Sequence, residues 1–418
     1  MQRSPASSPQ PEDTETEGAD SDSERDGRLR RGRPRKQRSA RARRWRRVFA
    51  AALAVFALVA AYVGVTLTPY LTAPGTDSMA ARVAEWGRDH HLSWAVTWLE
   101  NETYSPPPVG GTLSASQRAQ LKGLGRPAPV PTSHPAPGAA ATALDLPVDI
   151  VPPAANPLPG EGVWHPVTLD AAGNPVIEQA ALRPDPQHTS ELAYAVWMNQ
   201  SALKFTLQPG YQQPGGSWSA SDHVTGNALT GLAATFNGGF KIHPDDALGG
   251  YYADGRTAAP LVTGKAAEVF YRDGSMRIGV WGADEVMTPQ VVAVRENLSP
   301  LVSGGRVQVA SGAGSSAQWG YTVNSDYYIA RSGVGMTAKG DLVYVSGPTL
   351  SVHTLAVLLK NAGAVEAMEL DINPDWISYM FYSGSPTDPK PAKLWDFVQP
   401  ADRYLQPSDR DFVSVYLR

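Results

Sequence analysis

The sequence contains no cysteine among its 418 residues. This absence excludes disulfide bonds, CxxC zinc sites, thiolate metal clusters and cysteine nucleophiles. A folded domain of this chain must therefore be held together by its apolar core alone or by a bound ion. We expect any catalysis to rely on carboxylates, amides and arginine.

Net charge is also nearly absent, at −4, but this total combines two opposite regions. Residues 1–47 hold 14 Lys/Arg and eight Asp/Glu, a net of +6, so the rest of the chain carries −10. The acids stand between Glu12 and Asp26, and the basic residues concentrate in Arg28–Arg47. Because apolar side chains are scarce there, we predict that 1–47 is a disordered tail, first acidic and then basic.

A long charge-free run follows the tail. Val48–Leu67 contains no charged side chain, and twenty helical residues span about 30 Å, the thickness of a bilayer core. The run is too long and begins too late for a cleaved signal peptide, so we predict a transmembrane helix over 48–73. Because flanking Lys/Arg stay cytoplasmic, we expect a single-pass protein of the cell membrane with a cytoplasmic N-terminus and an extracytoplasmic C-terminal domain. The basic block then contacts anionic lipid, and no nucleic-acid partner is expected.

Two segments separate this span from the remaining chain. Residues 77–104 are predicted to form a juxtamembrane helix, capped by Asp77 or Ser78. Thirteen prolines lie in 105–161, and proline fixes φ and removes backbone donors. We therefore predict a stiff, extended linker over 105–161.

Residues 162–418 show short apolar runs between turn signals. This pattern predicts an α+β fold: a β-rich, mixed-sheet outer domain with flanking helices. Asp273-Gly274 indicates a hairpin, and Glu191–Met198 is predicted as a strand able to pair with Ala202–Leu207. Thr349–Ala362 is predicted as a helix capped by Thr349.

Four blocks in this region resemble a known family, the phosphodiester glycosidases, over roughly residues 190–417. The blocks, in order, are Gly231–Phe240, Glu296–Gly305, Ala330–Val345 and Thr349–Asp371. The resemblance implies a hydrolase that cleaves a phosphodiester-linked sugar. The expected partner is a carbohydrate or glycophosphate polymer: an envelope polysaccharide, a wall polymer or a glycolipid.

The resemblance also implies catalytic residues. Asp371 matches the family's carboxylate and is expected to act as the catalyst, and Arg331 matches an arginine expected to hold the phosphate charge. Glu369 lies two residues from Asp371 on a predicted strand, so the two carboxylates share a face. A surface ion pair for Arg331 and a purely supporting role for Glu369 are the alternatives.

The predicted substrate-binding residues flank these groups. Asn237 matches the family's asparagine and either binds a sugar hydroxyl or only forms a turn with Gly238 and Gly239. Lys241 binds an anion or is merely solvated. The last two predicted binding residues are Asn373 and Trp376, and Trp376 either stacks on a sugar or fills the core.

The segment after Asp371 departs from the family. Ile372–Trp376 replaces the family's glycine-rich turn, and Pro374 offers no N–H to a phosphate. This departure favours an alternative function, a non-catalytic glycan-binding or polysaccharide-assembly module on the same fold. Asp371-x-Asn373-x-Asp375 begins like a calcium loop, but Trp376 stands where that loop needs glycine. We therefore predict no cofactor and no metal site, with a divalent cation as the open alternative.

Overall fold

The computed structural model describes residues 36–123, 146–242, 248–314, 316–322 and 328–418. The chain divides into two compact units, residues 1–64 and 65–418. The predictions for the tail before residue 36 and for the middle of the proline-rich linker lie outside the described residues. Helices and strands are numbered below in chain order.

The first helix, α1 (Lys36–Leu71), contains the apolar run. Its Ala40–Leu71 part is long and apolar enough to cross a membrane, and it contains an 18-residue window with a mean hydropathy of 2.5 that is not buried in the described structure. The helix begins at Lys36, so the prediction of a disordered tail is wrong for residues 36–47. The arginines and alanines of that segment are strong helix formers. The helix ends shortly before Pro74, as expected for a residue that restricts its predecessor to extended geometry.

The segment 77–104 is two helices, so the prediction of one continuous helix is wrong. These are α2 (Met79–Asp89) and α3 (Ser93–Thr103). Ser78 caps α2 by accepting a hydrogen bond from the Ala81 N–H, which selects one of the two predicted caps. The break lies at His91, whose φ of 62° is left-handed and cannot continue a helix.

The proline-rich linker is also more ordered than predicted. It contains α4 (Ala115–Gly123), and Leu113, Leu121 and Ile150 are buried. Glu161 forms a buried ion pair with Arg183, at 3.0 Å. The described ends of 105–161 therefore pack on the domain, because apolar side chains between the prolines find a surface to cover.

The strands form three sheets, and every pairing between the described strands is antiparallel. The first sheet has the order β1 (His165–Leu169), β2 (Pro175–Leu182), β3 (Ala193–Met198), β14 (Leu342–Leu350), β13 (Ile329–Thr337), β15 (Ala364–Glu369), β11 (Pro300–Ser303) and β12 (Arg306–Val307). The second has the order β7 (Arg256–Ala259), β6 (Tyr251–Ala253), β10 (Val291–Glu296), β8 (Ala266–Tyr271) and β9 (Met276–Val280). The third has the order β17 (Asp388–Lys393), β16 (Tyr379–Ser385), β5 (Leu232–Asn237), β18 (Phe412–Leu417) and β4 (Leu203–Gln208).

This architecture confirms the α+β class, with antiparallel rather than mixed sheets. The predicted Asp273-Gly274 hairpin joins β8 to β9. Strands β3 and β4 do not pair as predicted, because β3 lies between β2 and β14 while β4 pairs with β18. A short connection thus carries the chain from one sheet to another instead of reversing it.

Helix α5 (Val352–Asn361) covers one face of the first sheet. Its buried stripe includes Leu355, Leu358 and Leu359, as predicted from their spacing. Ser351, rather than the predicted Thr349, caps it by accepting a hydrogen bond from the Thr354 N–H. Thr349 remains in β14, which extends to Leu350.

Candidate active site

The ends of β15 and β5 meet where the first and third sheets join. The Asp371 N–H donates to the carbonyl of Gly238, at 3.2 Å, just beyond β5. The Ser332 hydroxyl, on β13, donates to the Asp371 carbonyl at 2.9 Å. The backbone of Asp371 therefore ties two sheets together, and its side chain projects at their junction.

Asn237 is a structural centre of this junction. Its side-chain amide donates to the Gly238 carbonyl at 2.9 Å and to the Ser332 hydroxyl at 3.0 Å. Its carbonyl oxygen accepts from the Tyr344 hydroxyl at 3.0 Å and from the Ser378 N–H at 3.1 Å. A carboxamide has two donors and two acceptor lone pairs, so these four bonds use its whole capacity. The alternative of a turn-forming role fits this arrangement, and no bonding capacity is left for a sugar hydroxyl.

Gly238 and Gly239 allow the chain to approach a buried ion pair. A Cβ on Gly238 would lie 2.4 Å from Asp411 Oδ2, and one on Gly239 would lie 3.3 Å from Arg295 Cζ. Arg295 and Asp411 are themselves paired at 2.8 Å, with both side chains almost completely buried. The two glycines thus serve close packing against this pair.

Arg331 and Glu369 form a second buried pair inside the first sheet. Arg331 Nη1 donates to Glu369 Oε1, and Arg331 Nε donates to the Leu350 carbonyl at 3.0 Å. Both residues are 0% exposed, so neither offers surface to a ligand in this conformation. Burial raises the pKa of Glu369 to about 7, against the lowering effect of Arg331. The predicted phosphate-holding arginine is therefore enclosed by its own carboxylate partner.

Asp371 has different surroundings from Glu369, although the two are close in sequence. Its Oδ1 accepts from the Asn373 N–H at 2.9 Å, and its Oδ2 lies 3.8 Å from Arg410 Nη1. Burial raises the pKa of Asp371, and Arg410 opposes that rise. Strand β15 ends at Glu369, and the two carboxylates have separate arginine partners, Arg331 for Glu369 and Arg410 for Asp371.

The substituted segment after Asp371 forms a compact turn. Asn373 Oδ1 accepts from the Asp375 N–H at 2.9 Å, a bond that orders the segment locally. Trp376 is buried against two guanidinium groups: Arg410 Cζ lies 4.3 Å and Arg403 Cζ 5.3 Å from its ring centroid. In this conformation the Trp376 ring contacts these two arginines, and it is not exposed for stacking against a sugar.

Sequence reasoning missed the arginines of this site. Arg410 lies near Asp371, Asp409 and Glu85, and Arg403 lies 3.7 Å from Asp409. Burial, with a contribution from Asp77, raises the pKa of Asp409 to about 7. A signal was present in the sequence, since Asp409, Arg410 and Asp411 alternate in charge directly before the last apolar strand.

Helix α2 lies over this cluster. Lys241 Nζ pairs with Glu85 and, at 2.9 Å, with Asp89, while Glu85 Oε2 lies 3.3 Å from Arg410 Nη2. Burial opposes ionisation of Glu85, but Arg410 and Lys241 hold its pKa below the usual value. Lys241 is thus a pairing cation rather than a merely solvated one. The cavity left between α2, Trp376 and Asp409 measures about 20 Å³, room for about one water molecule.

Among the residues that the structure describes, no group of three or more His, Asp or Glu side chains is arranged to hold a metal ion. The carboxylates near Asp371 are instead interleaved with Arg295, Arg403 and Arg410. The arginines thus supply the positive charge in this cluster.

One comparison with known proteins covers part of this site. The family model described as phosphodiester glycosidase matches residues 230–371, from the residues before β5 to Asp371 itself. No match was found among curated proteins.

Several solved structures are similar to the chain at low identity, among them these three. The catalytic domain of zebrafish N-acetylglucosamine-1-phosphodiester alpha-N-acetylglucosaminidase, auto-inhibited by its pro-peptide, is 16% identical with a TM-score of 0.38, covering 59% of this chain and 85% of that one. A hypothetical protein from Synechocystis is 10% identical with a TM-score of 0.34, covering 61% and 64%. A putative exported protein from Burkholderia pseudomallei is 12% identical with a TM-score of 0.33, covering 56% and 75%. The family-model match confirms the resemblance to the phosphodiester glycosidase family for residues 230–371 of this chain.

Proposed function

We propose that this chain is a membrane-anchored hydrolase that releases a sugar from a glycosyl phosphodiester. The family match over 230–371 supports the reaction class, and α1 supports the anchor. The basic residues before the apolar run favour a cytoplasmic N-terminus and a C-terminal domain outside the cell membrane. The substrate would then be an envelope polysaccharide, a wall polymer or a glycolipid.

The observation that carries this proposal is the position of Asp371 beside Arg410. Cleavage of a glycosyl bond passes through a state with positive charge on the sugar ring, which a nearby carboxylate stabilises. The departing phosphate takes the bonding electrons and needs a cation more than a proton. Asp371 Oδ2 and Arg410 Nη1, 3.8 Å apart, place these two groups side by side.

Arg410 rather than Arg331 is our choice for the phosphate-holding arginine. Arg331 has no exposed surface and is bound to Glu369, while Arg410 faces Glu85, a carboxylate that comes from outside the sheets. Arg331 and Glu369 are better described as positioning residues that hold β13 and β15 in place behind Asp371. We propose no cofactor for this reaction, because an arginine can hold the charge of the departing phosphate.

Sugar release by the detergent-purified full chain tests the proposal. The substrate would be a sugar 1-phosphate esterified with a small alcohol. We expect Asp371→Asn to slow release by about 100-fold or more, the usual contribution of a catalytic carboxylate. The matched control is Asp388→Asn, whose side chain is 68% exposed and paired only at the surface with Lys390. Equal release by the Asp371→Asn variant would contradict the assignment.

A non-catalytic glycan-binding or assembly module is the second candidate. Two observations favour it: the turn at Ile372–Trp376 is not glycine-rich, and the cavity beside it holds only about 20 Å³. This candidate predicts saturable polysaccharide binding without sugar release, both in the unaltered chain and in a Glu85→Gln variant. Release by either form would reject it.

A further inference from the structure

Glu85 occupies a position between two cations that belong to the domain. Its two carboxylate oxygens face different partners, with Oε1 paired to Lys241 and Oε2 lying 3.3 Å from Arg410. Only 5% of the residue is exposed. Glu85 belongs to α2, whereas Lys241 follows β5 and Arg410 precedes β18. A carboxylate from α2 thus bridges two cations that come from two other parts of the chain.

Helix α2 contributes the carboxylate that joins Lys241 to Arg410. Apart from Glu85, Arg410 lies near Asp371 and Asp409, at 3.8 and 3.7 Å, and Lys241 pairs with Asp89 at 2.9 Å. Among these carboxylates, Glu85 is the one that contacts both cations. Removing Glu85 therefore leaves a recess for another anion between Lys241 and Arg410, beside Asp371.

We propose that Lys241 and Arg410 form the subsite for the singly charged phosphate of a phosphodiester, and that Glu85 of the chain's own α2 occupies this subsite. The proposal rests on the proposed function. A phosphodiester carries one negative charge over two non-bridging oxygens, the same charge and acceptor number as a carboxylate. The shared Arg410 places this anion next to the Asp371 carboxylate.

The segment around α2 is built to hold Glu85 in place. Gly75, at φ 96°, lies so close to Pro407 that a Cβ there would be 2.3 Å from its carbonyl oxygen. Arg82 donates to the carbonyls of Asp77 and Gly75, at 2.9 and 3.1 Å, which folds the chain before α2 into a compact turn. Asp77 Oδ1 accepts from Gln399 Nε2 at 3.0 Å. These contacts close the recess, so a substrate enters only when α2 is displaced.

Binding of dimethyl phosphate tests the subsite without requiring turnover. Calorimetric titration of the full chain in detergent would compare the unaltered protein with Glu85→Ala, which removes the competing carboxylate and leaves its volume free. We expect Glu85→Ala to bind about tenfold tighter or better, equivalent to about 1.4 kcal/mol. Adding Lys241→Met to Glu85→Ala should remove most of this gain. The control is Glu102→Ala, an exposed glutamate on α3.

A second measurement covers the case in which the variants fail to fold. In the unaltered chain, saturating dimethyl phosphate should increase hydrogen exchange at the α2 amides and leave those of α5 unchanged. An unchanged α2, or Glu85→Ala binding no tighter than the unaltered protein, would overturn the subsite. Dimethyl phosphate binding without sugar release would uphold the subsite and reject hydrolysis. Asp371-dependent release without tighter binding by Glu85→Ala would do the reverse.

Discussion

Glu369 and Glu85 are both buried glutamates paired with arginine, yet their pKa values move in opposite directions. Burial raises the pKa of Glu369 to about 7, because a single arginine, Arg331, opposes it and Asp371 adds repulsion. Burial also acts on Glu85, but Arg410 and Lys241 together outweigh it and lower the pKa. Glu85 therefore stays ionised near neutral pH, whereas Glu369 takes up a proton in that range.

The two pairs also differ in what holds them together. Glu369 and Arg331 lie on β15 and β13, which are joined by backbone hydrogen bonds along a ladder that includes Gly333 and Glu369. Glu85 reaches its partners from a helix, and its ion pairs are made by side chains. Separating the first pair means opening a sheet, while separating the second requires lifting one helix. The sheet pair is thus suited to a fixed support and the helix contact to a reversible one.

The largest expected effect is the loss of Arg331. An Arg331→Met substitution leaves Glu369 buried without a cation, and breaking such a pair costs about 3–5 kcal/mol of unfolding free energy. Urea denaturation of the solubilised chain measures it. Adding Glu369→Met should restore much of the loss, because two apolar side chains can replace a buried ion pair. A double variant as unstable as the single one would show that the pair does more than neutralise charge.

The pH dependence of stability should have opposite signs in the two regions. The folded pKa of Glu369 is raised, so its contribution is present below about pH 4.5 and is lost as pH rises through about 7, a change of about 3 kcal/mol. The folded pKa of Glu85 is lowered, so its contribution is present above about pH 4.5 and is lost as pH falls. Urea denaturation across this pH range, for the unaltered chain and for Glu369→Gln and Glu85→Gln, measures the contribution of each glutamate to the unfolding free energy. Slopes of the same sign for both glutamates would contradict the comparison.

Neutralising Glu85 should destabilise the chain less than the loss of Arg331. Glu85→Gln keeps the shape of the side chain but leaves two cations facing an amide, for which we expect about 1–2 kcal/mol. Arg410 retains Asp371 and Asp409, and Lys241 retains Asp89, so neither cation is left unpaired. Glu102→Gln is the matched control on the neighbouring helix. A loss as large as that of Arg331→Met would mean that α2 is an integral part of the domain core.

The smallest effect should come from the surface pair Lys390–Asp388. Both side chains are more than 60% exposed, so solvent screens their attraction. Asp388→Asn should change the unfolding free energy by less than about 0.5 kcal/mol. A larger change in urea denaturation would mean that β17 depends on this pair.

Local chemistry explains which elements could be predicted. The β8–β9 hairpin follows from Asp273-Gly274, and α5 follows from a buried stripe at helical spacing. The N-cap of α5 was harder to predict, because serine and threonine are both good caps. Only the length of β14 decides between Ser351 and Thr349. The break at His91 carries no strong sequence signal, since histidine is not a helix breaker of the rank of proline or glycine.

The site residues show the same contrast between features that could be predicted from local sequence and features that could not. Asp371, Asn237 and the glycines were predicted as site residues because they belong to blocks of sequence with a family pattern. Arg331 was predicted on the same ground, but its ion pair with Glu369 was not, because the pairing of β13 with β15 is a contact between distant parts of the chain. Arg410 lies outside the matched region and reaches Asp371 only through the third sheet.

The apolar helix, the α+β class, the hairpin and α5 could be predicted without a structure, because each depends on side chains near one another along the chain. The lack of cysteine likewise excludes a thiol from the chemistry. Three features of the site depend on folding: which arginine faces Asp371, the full use of the Asn237 bonding capacity, and the position of Glu85 between Lys241 and Arg410. Charge and hydrogen-bond partners are distributed across three sheets and a separate helix, so folding, rather than spacing in the chain, brings them together.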